Sequence, residues 1–198
     1  MLEGLVCLDC ECTGLNFVDN DVIEVSMIRL SDDCQKTWCI APINKENIHP
    51  DALRINGHKL EDLLHQTKYG ADTYKDPKKV IVEIENWLME DNMSAETRWI
   101  VGQNVQFDKN MLEQLWIKCG AQDSFPFGRR MIDTMQFEVF MDLAAGSTRD
   151  SYSLNSIIKK YGIKNEKAHS AASDTKATKE VFCKQLDVMK KLLNRREV

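Results

Sequence analysis

Apolar residues in this chain follow two spacings, and the change from one to the other marks out the elements. Leu5 to Cys12 reads Leu-Val-Cys-Leu-Asp-Cys-Glu-Cys, an apolar run closed by Thr13-Gly14, and this predicts a buried strand. Val22 to Leu30 and Lys36 to Ala41 read as two further strands, with Ser31-Asp32-Asp33 as the turn between them. Residues 42–58, rich in Pro, Asn and His, read as a loop, and Lys59 to Leu64 as a short helix. After Asp76-Pro77, helical spacing places Val80, Ile81, Ile84, Trp87 and Leu88 on one face. Trp99-Ile100-Val101-Gly102 is a short buried strand. Phe107, Met111, Leu112, Leu115 and Trp116 form the apolar face of a helix ended by Gly120, and Arg130 to Asp133 is the last strand. Helices follow at 134–144, 153–161 and 172–193. Three antiparallel strands followed by alternating strands and helices predict an α/β layer with a mixed sheet. Periodicity leaves the strand order open.

A length of 198 residues predicts a single domain over 1–198. No apolar stretch approaches the roughly 20 residues that span a bilayer, and no signal-peptide pattern opens the chain. Seven cysteines, an odd number without framework spacing, fit a reducing cytoplasmic compartment. Net charge is −5, but it is unevenly spread: residues 151–198 hold about 11 Lys/Arg against about 5 Asp/Glu. Lys159, Lys160, Lys164, Lys167, Lys176 and Lys179 lie there. They read either as a solvated helical face or as groups that approach phosphates. The net negative charge overall argues against tight non-specific duplex binding.

The candidate chemistry lies in three short motifs. Asp9 and Glu11 fall two apart in a predicted strand, so both project from one face. Two carboxylates side by side are costly to bury unless a cation neutralises them. Asp108 opens a helix within Gln103-Asn104-Val105-Gln106-Phe107-Asp108, and Asp174 lies early in the last helix. Taken singly, each reads as a first-turn helix acid. Together the four carboxylates carry four negative charges, which two divalent cations offset. Hard ions such as Mg²⁺ take carboxylate oxygens, and metal pairs serve phosphodiester cleavage. His169, five residues before Asp174, has a side chain that can take a proton near neutral pH and is the candidate general base. Cys7, Cys10 and Cys12 read as buried thiols and not as a zinc site, because strand alternation sends Cys7 to one face and Cys10 and Cys12 to the other.

These motifs, Asp9-Cys10-Glu11-Cys12-Thr13-Gly14-Leu15, Gln103 to Asp108, and Ala168-His169-Ser170-Ala171-Ala172-Ser173-Asp174, resemble in order and context those of the DEDDh 3′→5′ exonucleases. That superfamily includes the epsilon proofreading subunit of bacterial DNA polymerase III, ribonuclease T and oligoribonuclease. Val22-Ile23-Glu24-Val25, Pro50 to Gly57, Ile132-Asp133-Thr134 and Ser153 to Ile158 also have counterparts, so the resemblance spans roughly residues 4–190.

The resemblance implies a ribonuclease H-like mixed five-stranded sheet flanked by helices. It implies catalytic residues Asp9, Glu11, Asp108, His169 and Asp174, with the four acids holding two ions, Mg²⁺ or Mn²⁺. The expected activity is release of nucleoside 5′-monophosphates from single-stranded DNA or RNA 3′ ends. An RNA-specific exoribonuclease is the alternative within the class, and a non-catalytic nucleic-acid-binding subunit the alternative outside it. A polymerase or a second copy of the chain is a candidate protein partner. For substrate binding, Cys12, Thr13 and Gly14 close the first strand, where the Thr13 hydroxyl and nearby amides would meet the terminal sugar. Leu15 and Phe17 would pack on the terminal base, with a loop-anchoring role open for Phe17. His58 falls in the base-clamp loop, and Asn104 would position the second motif by a hydrogen bond. Glu24 and Asp133 are expected in supporting roles. The chain departs from the commoner pattern at Gln103, where histidine is usual, at Cys10 and Cys12, where threonines are frequent, and at Asn56-Gly57-His58, where His-Gly-Ile is frequent.

Overall fold

The computed structural model describes residues 2–194 apart from 67, 70, 71 and 166. Its strands are β1 (Leu5–Cys12), β2 (Val22–Arg29), β3 (Gln35–Cys39), β4 (Lys68–Tyr69), β5 (Asp72–Thr73), β6 (Trp99–Gly102) and β7 (Met131–Asp133). Its helices are α1 (Pro50–Asn56), α2 (Leu60–His65), α3 (Pro77–Met89), α4 (Gln106–Lys118), α5 (Thr134–Ala144), α6 (Leu154–Tyr161) and α7 (Ala171–Asn194). The main sheet runs β3-β2-β1-β6-β7, and β4-β5 form a separate hairpin. β1 is antiparallel to β2 and parallel to β6, and β7 is parallel to β6.

Alternation along β1 sorts the core into two layers. Val6, Leu8, Cys10 and Cys12 pack with Val80, Ile84, Leu88, Leu112 and Trp116 of α3 and α4. Cys7 points the other way and packs with Val101 of β6 and Phe182 of α7. Burial pushes the thiols of Cys7, Cys10 and Cys12 well above their ordinary pKa, so they behave as small apolar groups. α3 begins where the sequence places it: the Asp76 side chain accepts from the Lys78 amide at 2.9 Å, and proline follows in the first turn. Buried Glu138 ties α5 to α6 and α7 by accepting from Lys160, Tyr161 and Gln185, and it also pairs with Arg149.

Several boundaries differ from those predicted. The segment read as a loop over 42–58 contains α1, bounded by Pro50 and by Gly57, whose φ of 75° is left-handed. With Leu53 as its one fully packed apolar residue, so short a helix leaves no periodic trace. α2 sits one residue later than expected. β3 ends at Cys39 because Ile40 bridges to Lys75 and the Ala41 amide donates to the Lys75 carbonyl at 2.9 Å. The β4-β5 hairpin went unpredicted, since two-residue strands carry no readable pattern.

Candidate active site

The site forms where β1 outruns its parallel neighbour. β6 pairs with β1 only from Leu5 to Cys7, so the later residues of β1 are uncovered on that side. Asp9 and Glu11 lie on this stretch and face α7. One oxygen from each of Asp9, Glu11 and Asp174 falls within 4.8 Å of the other two. Asp174 reaches them from the first turn of α7 and is itself buried. Asp108 arrives from the opposite layer, at the start of α4. Its Oδ1 accepts from the Cys10 amide at 2.9 Å, filling the place that a longer β6 would have taken. The structure thus gathers three of the predicted acids tightly and sets the fourth beside them, on the backbone that joins Asp9 to Glu11.

Among the described residues, no ion pair links a lysine or arginine to Asp9, Glu11, Asp108 or Asp174. Burial first, then mutual repulsion, raises Asp9 well above its ordinary value. Burial, with Glu24 and Asp174 adding to it, lifts Glu11 to about 8. Burial raises Asp108 to about 7, against the lowering effect of the Cys10 amide. Uncompensated carboxylate oxygens at this spacing fit a divalent cation. The sign of the pH effect follows. Folded-state pKa values above the unfolded ones mean that the folded chain binds more protons between about pH 4.5 and 8, so its stability falls as pH rises through that window. In chelator, the melting temperature is expected to fall by several degrees from about pH 5 to pH 8, and Mg²⁺ should restore most of the loss at the upper end. A Glu11→Gln variant should flatten the slope. An equal slope in the variant would show that these acids do not carry it.

His169 is exposed and left-handed, with φ 64°. Its amide donates to Asp174 Oδ2 at 3.0 Å, so base candidate and ligand candidate share one turn. Asn165 donates to the other Asp174 oxygen and accepts from the Ser173 hydroxyl at 2.6 Å. Sequence reasoning missed Asn165, which lies outside the His-x4-Asp spacing.

The structure sets three of the expected substrate-contact residues, His58, Cys12 and Thr13, in the interior, and Asn104 at the surface. His58 does not reach the surface. Its ring is buried between Glu24, at 3.1 Å, and the Tyr74 hydroxyl, because strand β2 brings Glu24 opposite Glu11 and under the α1–α2 loop. Cys12 turns its thiol into the core, while its carbonyl accepts from Asn56. Thr13 is fully buried: its amide donates to the Asp21 carbonyl at 2.8 Å and its hydroxyl accepts from the Asp21 amide at 2.9 Å. It fixes the loop and does not present its hydroxyl. Asn104 is exposed and left-handed, and the carboxamide that anchors the second motif is that of Gln103, which donates to the Tyr152 carbonyl and accepts from Thr134. Asp133 supports the same turn, accepting from the amides of Asn104 and Val105 as well as capping α5.

The loop after β1 is held from several sides. Lys118, at the end of α4, donates to the Asn20 carbonyl and to Asp21. Asp21 also accepts from the Asn44 amide, and Asn20 binds the Asn16 amide and the Asn47 carbonyl. Gly14 is required there, since a Cβ would lie 2.4 Å from Asn20 Oδ1 and 2.6 Å from the His49 ring. The loop tip leaves Leu15 85% and Phe17 40% exposed, so both are free to meet a ligand.

Fold and acidic centre together define a ribonuclease H-like nuclease domain. Residues 6–182 match the RNase T family model, described as an exonuclease. The chain belongs to this exonuclease family and is a 3′→5′ exonuclease domain of the DEDDh superfamily. It is 26% identical over 200 residues to the PolC-type DNA polymerase III of Staphylococcus aureus (strain bovine RF122 / ET3-1), covering 98% of this chain and 12% of the polymerase. To that of Thermotoga petrophila it is 27% identical over 188 residues, covering 94% and 12%. Among solved structures, Escherichia coli exonuclease I in a zinc-bound complex with single-stranded DNA superposes with a TM-score of 0.70 at 17% identity, over 92% of this chain and 40% of that one. Exonuclease I from Methylocaldum szegediense gives 0.67 at 17% identity, over 92% and 39%. The chain therefore spans only a minor part of these relatives. Among the described residues no helix is long and apolar enough to cross a membrane.

Proposed function

We propose that this chain, acting as one exonuclease domain, hydrolyses the terminal phosphodiester at free 3′ ends of single-stranded DNA and releases nucleoside 5′-monophosphates. The observation that carries the proposal is the convergence of Asp9, Glu11 and Asp174 on one point, with no lysine or arginine paired to them among the described residues and an exposed histidine hydrogen-bonded into the same turn. Asp9, Glu11 and Asp174, joined by Asp108, would hold two divalent ions, Mg²⁺ or Mn²⁺. Bound there, such ions stabilise charge on the attacking and leaving oxygens. His169 takes the proton from the attacking water, and its exposure lets that water reach it. Leu15 and Phe17 offer the terminal base an apolar surface. The exonuclease I complex with single-stranded DNA supports the choice of substrate. The likeness to PolC-type enzymes supports a replicative polymerase as the context.

The test uses a 5′-labelled dT12, the same strand with a 3′-phosphate, a circular strand, and an RNA of matched length. Stepwise shortening of the free-ended DNA, abolished by EDTA and blocked by the 3′-phosphate, is expected. Cutting of the circle would show endonuclease action, undiminished activity in excess chelator would remove the metal, and faster loss of the RNA would replace DNA as the substrate.

A further inference from the structure

Beside the acidic centre, on the outward side of α7, lies an open bay of about 630 Å³. It is lined by Lys164, Lys167 and Lys176, by Ser170 and Ser173, and by a single carboxylate, Glu180, among the described residues. The bay starts next to the candidate active site in the most literal sense. Ser173 precedes Asp174, and His169 stands between Lys167 and Ser170. α7 therefore has two working sides. Asp174 and Thr175 face the sheet and are buried, while Lys176 is exposed in the bay. Among the described residues Lys164 and Lys176 form no ion pair, in contrast to Lys179, which is paired with Asp33. Ammonium groups converging on one concavity are poised for phosphates, which they bind as mobile point charges. The chain as a whole is acidic, so a local positive bay beside the centre stands out as the place where an approaching polyanion is held.

We propose that this bay seats the backbone phosphates of the nucleotides upstream of the scissile bond, making Lys164 and Lys176 length-sensing contacts of a single-stranded substrate. The proposal rests on the exonuclease reading given above. A volume of this size holds one or two nucleotides, within the range of ordinary ligand sites. The consequence is that affinity rises with strand length until the bay is filled and then levels off. Each phosphate seated by a lysine releases counterions, giving a salt dependence of about 0.7 in log K per log salt for a single strand.

The experiment compares wild type with Lys164→Gln/Lys176→Gln. Both residues are exposed, so the fold should tolerate the change, and circular dichroism checks it. Binding of 5′-fluorescein dT12 is measured by anisotropy in chelator, where no turnover occurs, over a salt series. Expected are a roughly 5–10-fold weaker Kd at low salt and a slope shallower by about 1.4. A parallel assay follows hydrolysis of the p-nitrophenyl ester of thymidine 5′-monophosphate, a substrate too short to reach the bay. Unchanged dT12 affinity and slope in the variant overturn the bay, whatever the ester shows. Loss of dT12 affinity with no fall in slope overturns it as well. If wild type fails to hydrolyse both ester and dT12 while the variant shows the binding defect, the bay stands and the exonuclease reading falls.

Discussion

Asp9→Ala is expected to abolish turnover by three or more orders of magnitude while the chain stays folded. Four to five kcal/mol of lost transition-state stabilisation, about what a metal-held charge contributes, corresponds to roughly 10³-fold or more. The structure separates this variant from its partners. No described group hydrogen-bonds the Asp9 carboxylate, and burial with its neighbours' charge holds its pKa well above the ordinary range. Its removal from the metal-free chain relieves repulsion, so the melting temperature in chelator should rise. Asp174→Ala should lose activity as severely, without that gain, because its carboxylate also fastens the His169 amide and Asn165. Asp108→Ala should destabilise by about 1–3 kcal/mol, since the buried Cys10 amide loses its acceptor. Asp108→Asn, which keeps an oxygen, should recover much of that. Single-turnover rates together with thermal melts in chelator and in Mg²⁺ check all three. An Asp9→Ala enzyme with near-normal rate would remove the acidic cluster from the reaction.

The sheet and the acidic centre were legible because both rest on short-range rules. Period-two alternation puts Asp9 with Glu11 and sends Cys10 to the opposite face, and the structure follows it residue by residue. Helical spacing likewise located α3 and α4. What escaped was set by side chains acting across the chain. Nothing local to His58 signals Glu24 and Tyr74, 34 and 16 residues away, yet they draw its ring inward. Thr13 stands in the expected loop, but the Asp21 backbone occupies both its polar groups. The second motif was expected to be positioned by a hydrogen bond from Asn104. Its main-chain amide donates to Asp133, while the carboxamide that reaches Tyr152 is that of Gln103, and Asn104 takes the left-handed turn that lets the chain leave β6 for α4. A sequence shows which residues share a face. It does not show which of them spend their hydrogen bonds on the interior.

Replacing His169 should cost roughly 10²–10⁴-fold in turnover, the usual worth of a positioned base, and should spare metal binding. The choice of substitution follows from the backbone. At φ 64° histidine and alanine both bear a left-handed cost of about 1–2 kcal/mol, whereas asparagine tolerates that conformation. His169→Asn is therefore the cleaner probe, and His169→Ala a check on it. The link to Asp174 runs through the main-chain amide and not the ring, so either variant keeps that hydrogen bond and the ligand stays in place. Activity and metal affinity should separate here, whereas in Asp9→Ala they fall together. Since the imidazole accepts the proton from the attacking water, both variants should lose turnover with Mn²⁺ still bound. Single-turnover rate, with Mn²⁺ affinity measured independently, decides the matter. A variant with wild-type rate would return His169 to the ordinary exposed histidines. One that loses Mn²⁺ as badly as Asp9→Ala would make its ring a ligand.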